Sequence, residues 1–280
     1  MILDGKTVAA ALKAEIAEKV KALPKGRTPH LVVILVGEDP ASQVYVRNKG
    51  RACEAVGFRS TTLVMPADTP EQALLEKIRT LNADDDVDGI LVQAPLPRHI
   101  DAAKVIRTIS VDKDVDGFHP LNVAALWQKM PCIMPCTPKG IMKLLAAAGV
   151  DPSGKRAVVI GRSNIVGLPI AKLLLDANAT VTLCHTRTVD LPSVTREAEI
   201  LVVAAGRAKM VTGDMVSEGA VVIDVGMDTD KEGKLCGDVD FESVAPKASF
   251  ITPVPGGVGP MTIACLMENT LECFLRRTAR

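Results

Sequence analysis

The stretch Ala157-Val158-Val159-Ile160-Gly161-Arg162-Ser163-Asn164-Ile165-Val166-Gly167 decides how the chain is read. Its four leading apolar residues suit a strand buried on both faces. A glycine directly after such a strand lets the backbone turn tightly, and the helix that follows offers unpaired N–H groups and a positive dipole end to a phosphate. The dinucleotide pattern Gly-x-Gly-x-x-Gly is not met, because Ser163 stands at the second glycine and the last spacing is longer. An ordinary strand-to-helix connection is therefore the competing reading. The setting favours a nucleotide site: an amphipathic helix over 167–178 follows the turn, and a second strand over 180–184 completes a βαβ unit.

That second strand ends Thr182-Leu183-Cys184-His185-Thr186-Arg187, without an acidic residue. An Asp or Glu at this place bonds the ribose hydroxyls of NAD and would repel a 2′-phosphate. Arg187, together with Arg162, supplies the opposite charge, so NADP is the expected cofactor. The alternative for Arg187 is a solvated surface side chain.

Working outward, strands are expected at 200–203, 221–225 and 249–251. Thr137-Pro138 supplies a cap and a first-turn proline for a helix reaching about Ala148. The N-terminal half repeats the alternation. Val8, Leu12, Ile16 and Val20 form one helical stripe. Leu31-Val32-Val33-Ile34-Leu35-Val36 is a continuous aliphatic strand, and Asp39-Pro40 starts a helix that runs to Gly57. Strands near 59–65 and 87–92 flank a helix starting around Pro70. The fold class is α/β in two domains: an αβα substrate domain over residues 1–136 with a mostly parallel sheet, and a Rossmann-type dinucleotide-binding domain over 137–261. Ile263, Leu266, Met267, Leu271 and Phe274 mark one face of a final helix over 262–280. That helix either packs on its own sheet or returns to the first domain.

A chain of 280 residues with 48% apolar side chains has material for two cores. Lys+Arg and Asp+Glu number 33 each, a balance that argues against a general nucleic-acid binder. No basic stretch followed by an apolar core opens the sequence, and no apolar run is long enough to cross a bilayer. Seven scattered cysteines form no disulfide framework, so a reducing, cytoplasmic setting is expected. Cys132 and Cys136 are the closest pair, but no second ligand pair accompanies them, and no metal is expected. The run Asp112-Lys113-Asp114-Val115-Asp116-Gly117 matches the opening of a calcium loop. Position twelve of such a loop needs a bidentate glutamate; here it is Val123, with Pro120 inside the span, and the calcium reading fails. What remains is a turn that offers a carboxylate to a polar ligand, or a solvated turn.

Three side chains in the first half have chemistry to offer. Tyr45 and Lys49 stand four residues apart on one helix face, one turn beyond Ser42. A lysine in a partly dry setting loses basicity and becomes able to exchange protons near neutrality, and the tyrosine ring suits stacking on a flat heterocycle. A half-buried tyrosine beside a snorkelling lysine is the bland alternative. Gln93 ends the strand Gly89-Ile90-Leu91-Val92, at the carboxyl edge where open α/β sheets bind ligands. It would serve equally to hold the following loop.

Taken in order, the motifs resemble the bifunctional methylenetetrahydrofolate dehydrogenase/methenyltetrahydrofolate cyclohydrolase family across essentially the whole chain. They are Asp-Pro-Ala-Ser-Gln-Val-Tyr-Val-Arg-Asn-Lys from Asp39 to Lys49, Gly-Ile-Leu-Val-Gln-Ala-Pro-Leu-Pro from Gly89 to Pro97, and Asp-Lys-Asp-Val-Asp-Gly-Phe-His-Pro from Asp112 to Pro120. Pro135-Cys136-Thr137-Pro138, the turn at 161–167, and the string from Pro253 through Gly256-Gly257-Val258-Gly259 to Thr262 complete them.

The resemblance implies the site residues. Lys49 would be the catalytic lysine of the cyclohydrolase step, Tyr45 its folate-stacking neighbour, Gln93 the partner that tunes it and Asp116 the acid that hydrogen-bonds the pterin. Val92, Leu96, Pro255, Gly256 and Gly257 would complete the substrate contacts. NADP would lie against Gly161, Arg162, Ser163, Ile165, Val166 and Gly167, then His185, Thr186 and Arg187, and also Ala205, Gly206, Val225 and Gly226. The serine at position 163 is itself a family feature. A homodimer acting on a small folate substrate in one-carbon metabolism is implied, without a nucleic-acid or membrane partner.

Overall fold

The computed structural model describes residues 1–24 and 26–278. The chain divides into two compact units, Ala10–Cys136 with Ile263–Arg280, and Met1–Ala9 with Thr137–Thr262. Ala279 and Arg280, the end of the expected final helix, lie outside the described residues.

Helix α1 (Gly5–Lys21) buries Leu12, Ile16 and Val20 along one stripe. β1 (His30–Val36), α2 (Pro40–Val56), β2 (Arg59–Met65), α3 (Glu71–Ala83), β3 (Gly89–Val92), α4 (Ala102–Thr108) and α5 (Pro120–Trp127) follow. The three strands form a parallel sheet in the order β2-β1-β3. β1 is central and buried throughout. Val32, Ile34 and Val36 pack with Leu74 and Ile78 of α3 and Val105 of α4. The alternate residues Leu31, Val33 and Leu35 are buried on the opposite face, which is why the strand is aliphatic without interruption. α2 begins where the sequence predicts: Asp39 caps it by accepting from the Ser42 N–H at 2.7 Å, and Gly57 ends it in the left-handed region at φ 81°.

The second unit holds α6 (Cys136–Ala147), β4 (Arg156–Ile160), α7 (Gly167–Asp176), β5 (Thr180–Cys184), α8 (Leu191–Thr195), β6 (Ile200–Val203), β7 (Val221–Asp224), β8 (Asp228–Thr229), β9 (Leu235–Cys236), α9 (Phe241–Val244) and β10 (Phe250–Ile251). A last helix, α10 (Val258–Thr278), ends the chain. Five strands form a parallel sheet ordered β10-β7-β6-β4-β5, and β8 pairs antiparallel with β9. The chain leaves β4 to one side for β5 and returns to the other side for β6. Strand order therefore reverses at β4, and the crevice outside the carboxyl ends of β4 and β6 is where such sheets bind a dinucleotide.

Residues Met1–Ala9 sit in this unit and not with residues 10–136, with which the sequence pattern groups them. β10 is an edge strand whose backbone groups need partners, and the chain's start supplies them. Ile2 bridges Ile251 in parallel, the Leu3 N–H donates to the Ile251 carbonyl at 2.8 Å, and the Lys6 N–H donates to the Gly256 carbonyl at 3.2 Å. From Ile263 onward α10 belongs with residues 10–136, where its Met267 sulfur lies 3.6 Å from the Cys53 sulfur of α2.

Candidate active site

α2 presents Tyr45 and Lys49 on one face, both partly buried. The Lys49 ammonium donates to Gln93 Oε1 at 2.9 Å. Gln93 is held in turn from two directions. Its backbone N–H continues the sheet by donating to the Ile34 carbonyl at 2.8 Å, and its Nε2 donates to the Ala94 carbonyl at 2.7 Å. Gln93 therefore holds its loop and orients Lys49 with the same amide. Val92 and Leu96 pack against the core of the same unit.

Burial lowers the Lys49 pKa below the usual lysine range, opposed by the charge of Asp116 and of Cys136. Asp116 moves the other way: burial pushes it up to about 6, against the pull of Lys49. The two groups are thus displaced toward each other, each by burial and each opposed by the other's charge. Burial also raises the Tyr45 pKa.

The turn that carries Asp116 is fastened on both sides. Asn269 of α10, fully buried, donates to the Val115 and Met134 carbonyls at 2.9 Å each. Gly117 turns at φ 72°, and a Cβ there would meet the Ile133 carbonyl oxygen at 2.6 Å. The neighbouring acid Asp114 faces inward, accepting from the His119 N–H at 2.7 Å and Asn122 Nδ2 at 2.8 Å. Lys113 donates to the Leu81 and Asp84 carbonyls. The acids of this run thus point to different partners, and among the described residues no group of three His, Cys, Asp or Glu is placed to hold a metal.

In the other unit Gly161 and Gly167 are required by close approach. A Cβ on Gly161, at φ 110°, would lie 2.1 Å from the Ala204 carbonyl oxygen, and one on Gly167 would lie 2.0 Å from the Gly161 carbonyl oxygen. Strand ends and helix start are packed backbone to backbone, as a pyrophosphate cradle demands. Ser163 closes the turn before the helix: its Oγ accepts from the Val166 and Gly167 N–H groups at 3.2 and 3.3 Å. Arg162 and Ile165 are exposed beside it.

Past β5, His185 Nδ1 accepts from the Arg187 N–H at 3.0 Å, and Thr188 Oγ1 accepts from the His185 N–H at 2.8 Å. This small turn leaves Thr186 and Arg187 exposed. The nearest following acid, Asp190, is engaged in capping α8 through Ser193. The strand end therefore presents a cation and no free carboxylate, which fits a 2′-phosphate.

Sequence reasoning missed the acids beneath the loops at 205–207 and 225–226, the remaining expected cofactor contacts. Asp238, fully buried, accepts from the N–H groups of Ala205, Gly206 and Arg207, and Asp224 at the end of β7 accepts from Gly226, Asp238 and Val239. The acids of the run Gly237-Asp238-Val239-Asp240, set between apolar residues, were the available signal. Pro255 is exposed, whereas Gly256 and Gly257 are buried, with Gly257 packed against Gly5.

Two family models cover the chain. The catalytic domain of tetrahydrofolate dehydrogenase/cyclohydrolase matches residues 3–116, and its NAD(P)-binding domain matches residues 135–278. The bifunctional protein FolD of Acidiphilium cryptum is 61% identical over 96% of this chain and 96% of its own length. Among solved structures, the bifunctional FolD of Campylobacter jejuni superposes with a TM-score of 0.97 at 51% identity, covering 99% of both chains. The methylenetetrahydrofolate dehydrogenase-cyclohydrolase of Trypanosoma brucei, complexed with NADP cofactor and inhibitor, superposes with a TM-score of 0.96 at 41% identity, covering 100% of this chain and 99% of that one. Both halves of the chain are matched, and the chain belongs to the tetrahydrofolate dehydrogenase/cyclohydrolase family.

Proposed function

We propose that this chain is a bifunctional enzyme of one-carbon metabolism. It oxidises 5,10-methylenetetrahydrofolate to the 5,10-methenyl form with NADP+ and hydrolyses that product to 10-formyltetrahydrofolate. The observation that carries the hydrolytic half is the Lys49–Gln93 hydrogen bond of 2.9 Å, with the charge of Asp116 acting on the same lysine. The oxidative half is supported by the Gly161–Ala204 approach, the α7 N-terminus and the acid-free end of β5.

NADP+, when bound, supplies the hydride acceptor. Gly161 and the first turn of α7 would hold its pyrophosphate, with Arg162 and Arg187 at the 2′-phosphate. Loss of hydride leaves the folate as a methenyl cation delocalised over two nitrogens. Tyr45 stacks on the pterin and Asp116 hydrogen-bonds it, which fixes the reacting carbon relative to Lys49. Water then adds to that carbon. One proton leaves the added water, and one reaches the ring nitrogen that departs as the ring opens. Lys49, with its basicity reduced by burial, moves these protons, and the cationic substrate further favours its neutral form. Gln93 holds the amine at the position where the transfers occur.

A cytoplasmic homodimer completes the proposal. Seven free cysteines suit a reducing compartment, and sedimentation equilibrium returning a monomer would remove the dimer from it. The functional test is a coupled absorbance assay with methylenetetrahydrofolate and either NADP+ or NAD+, following reduced cofactor and methenyl product together. Cofactor reduction with NADP+ and subsequent decay of the methenyl signal are expected. No reduction with either dinucleotide would overturn the assignment.

A further inference from the structure

The carboxylate of Asp238 is 0% exposed, yet it belongs to neither the fingerprint turn nor the β5 end. Its Oδ2 accepts from the Ala205 N–H at 2.6 Å and the Gly206 N–H at 3.1 Å, and its Oδ1 accepts from the Arg207 N–H at 2.6 Å. Three successive peptides beyond β6 therefore point their N–H groups at one buried carboxyl group. The only cis peptides described are Ala94-Pro95 and Val254-Pro255, so these three are trans. In a trans peptide the carbonyl points opposite to the N–H. The carbonyls of Ala204, Ala205 and Gly206 must then face away from Asp238, and the Ala204 oxygen is indeed the atom that crowds Gly161.

A second carboxylate fixes the first. Asp224 is 4% exposed; its Oδ1 accepts from the Asp238 N–H at 3.0 Å and the Gly226 N–H at 2.9 Å, and its Oδ2 accepts from the Val239 N–H at 3.0 Å. Two glycines make room for this nesting. A Cβ on Gly226 would lie 2.3 Å from the Asp238 nitrogen, and one on Gly237 would lie 1.9 Å from Asp224 Oδ2. Both loops that follow β6 and β7 are thus tied to a single pair of acids.

The direction of this tie has a chemical meaning. A dinucleotide straddles the switch point with its pyrophosphate at the α7 N-terminus. The adenosine half extends toward β5, where Thr186 and Arg187 lie, so the nicotinamide half falls on the β6 and β7 side. A loop that offered N–H groups there would suit a phosphate. Turned over by Asp238, the loop offers carbonyl oxygens instead, which accept from ribose hydroxyls or from a carboxamide NH2.

We infer that Asp238 is a positioning residue for the oxidative reaction: it orients the 205–207 loop so that carbonyl acceptors face the N–H and O–H donors of the nicotinamide nucleoside. The inference rests on the functional reading above. It is tested with the purified full-length Asp238→Asn and Asp238→Glu variants, measuring KM for NADP+, kcat for oxidation, cyclohydrolase turnover and the melting temperature. Asparagine replaces one acceptor oxygen with a donor that opposes the loop N–H groups, and glutamate displaces the carboxylate by one methylene. Both should raise KM for NADP+ by about tenfold or more, with a smaller change in kcat. Cyclohydrolase turnover should stay within about twofold of wild type. A further arm uses the 3-acetylpyridine analogue of NADP+, which lacks the carboxamide NH2. Discrimination against it by wild type, weakened in Asp238→Glu, assigns the carbonyls to the carboxamide, and equal discrimination in both assigns them to the ribose. Wild-type KM in either folded variant, or parallel loss of both activities in Asp238→Glu, would overturn the inference. Failure of the wild-type enzyme to reduce NADP+ would instead overturn the functional reading itself.

Discussion

Asp116 and Asp224 are both pushed up to about 6 by burial, yet they do different things. Asp116 stands on a turn fastened by Asn269 and Gly117; the charge of Lys49 pulls its pKa down and that of Asp114 pushes it up. Asp224 takes three backbone N–H groups and has no cation among the causes of its shift. The first carboxyl feels the charge of a lysine, a group that itself titrates. The second has its lone pairs engaged by amides that do not. An upward displacement by burial does not by itself mark a carboxyl for chemistry; what the group hydrogen-bonds and which charge lies beside it separate the two cases.

The most severe challenge to this contrast is Lys49→Met. It should lower cyclohydrolase turnover by about 10²- to 10⁴-fold, the usual contribution of a general acid–base group, while hydride transfer persists. Equal loss of both activities would mean that Lys49 serves the fold or general substrate binding. Gly161→Ala attacks the other region. The new Cβ would lie 2.1 Å from the Ala204 oxygen at φ 110°, so kcat/KM for NADP+ should fall by about 10- to 100-fold with hydrolysis retained. A variant with normal cofactor kinetics would show that the strand ends are not the cradle.

Asp224→Asn sharpens the structural side. Placing an amide NH2 against the N–H groups of Gly226, Asp238 and Val239 should cost on the order of 1–2 kcal/mol in urea unfolding. The pH profile of hydrolysis should not move. Asp116→Asn has the most specific expected effect, a shift in a pH profile. The Asp116 charge raises the Lys49 pKa, so its removal lets burial lower that pKa further. In the residual hydrolysis, the limb of the pH–rate profile that reports Lys49 should move to lower pH. A shift to higher pH would contradict the sign of the coupling.

Much of the fold was legible because the deciding signals are local. The aliphatic run of β1 reflects burial on both faces, and Asp39, Pro40 and Gly57 bound α2 by capping chemistry that needs no distant partner. The glycines of the fingerprint turn were visible too, although only the tertiary structure shows that Ala204 is the neighbour that forbids a side chain at Gly161. The candidate site was less legible. Tyr45 and Lys49 share a face by helical spacing alone, but whether the lysine reached solvent or a partner depended on Gln93, which lies 44 residues away.

By itself, then, the sequence determined the alternation of strands and helices, the caps, the acid-free end of β5 and the imperfect phosphate turn, all set by neighbours within a turn or two. The turn at 161–167 stands out among them because strand, glycine and helix start are contiguous. Tertiary structure alone decided that Met1–Ala9 joins residues 137–262, that Asn269 of α10 pins the turn before Asp116, and that Asp238 turns the 205–207 loop over. The physical reason is the same in each case. Periodicity reveals which face of an element must be buried, whereas the partner of a buried N–H or carboxylate is chosen by strand order and register, which bring distant segments together.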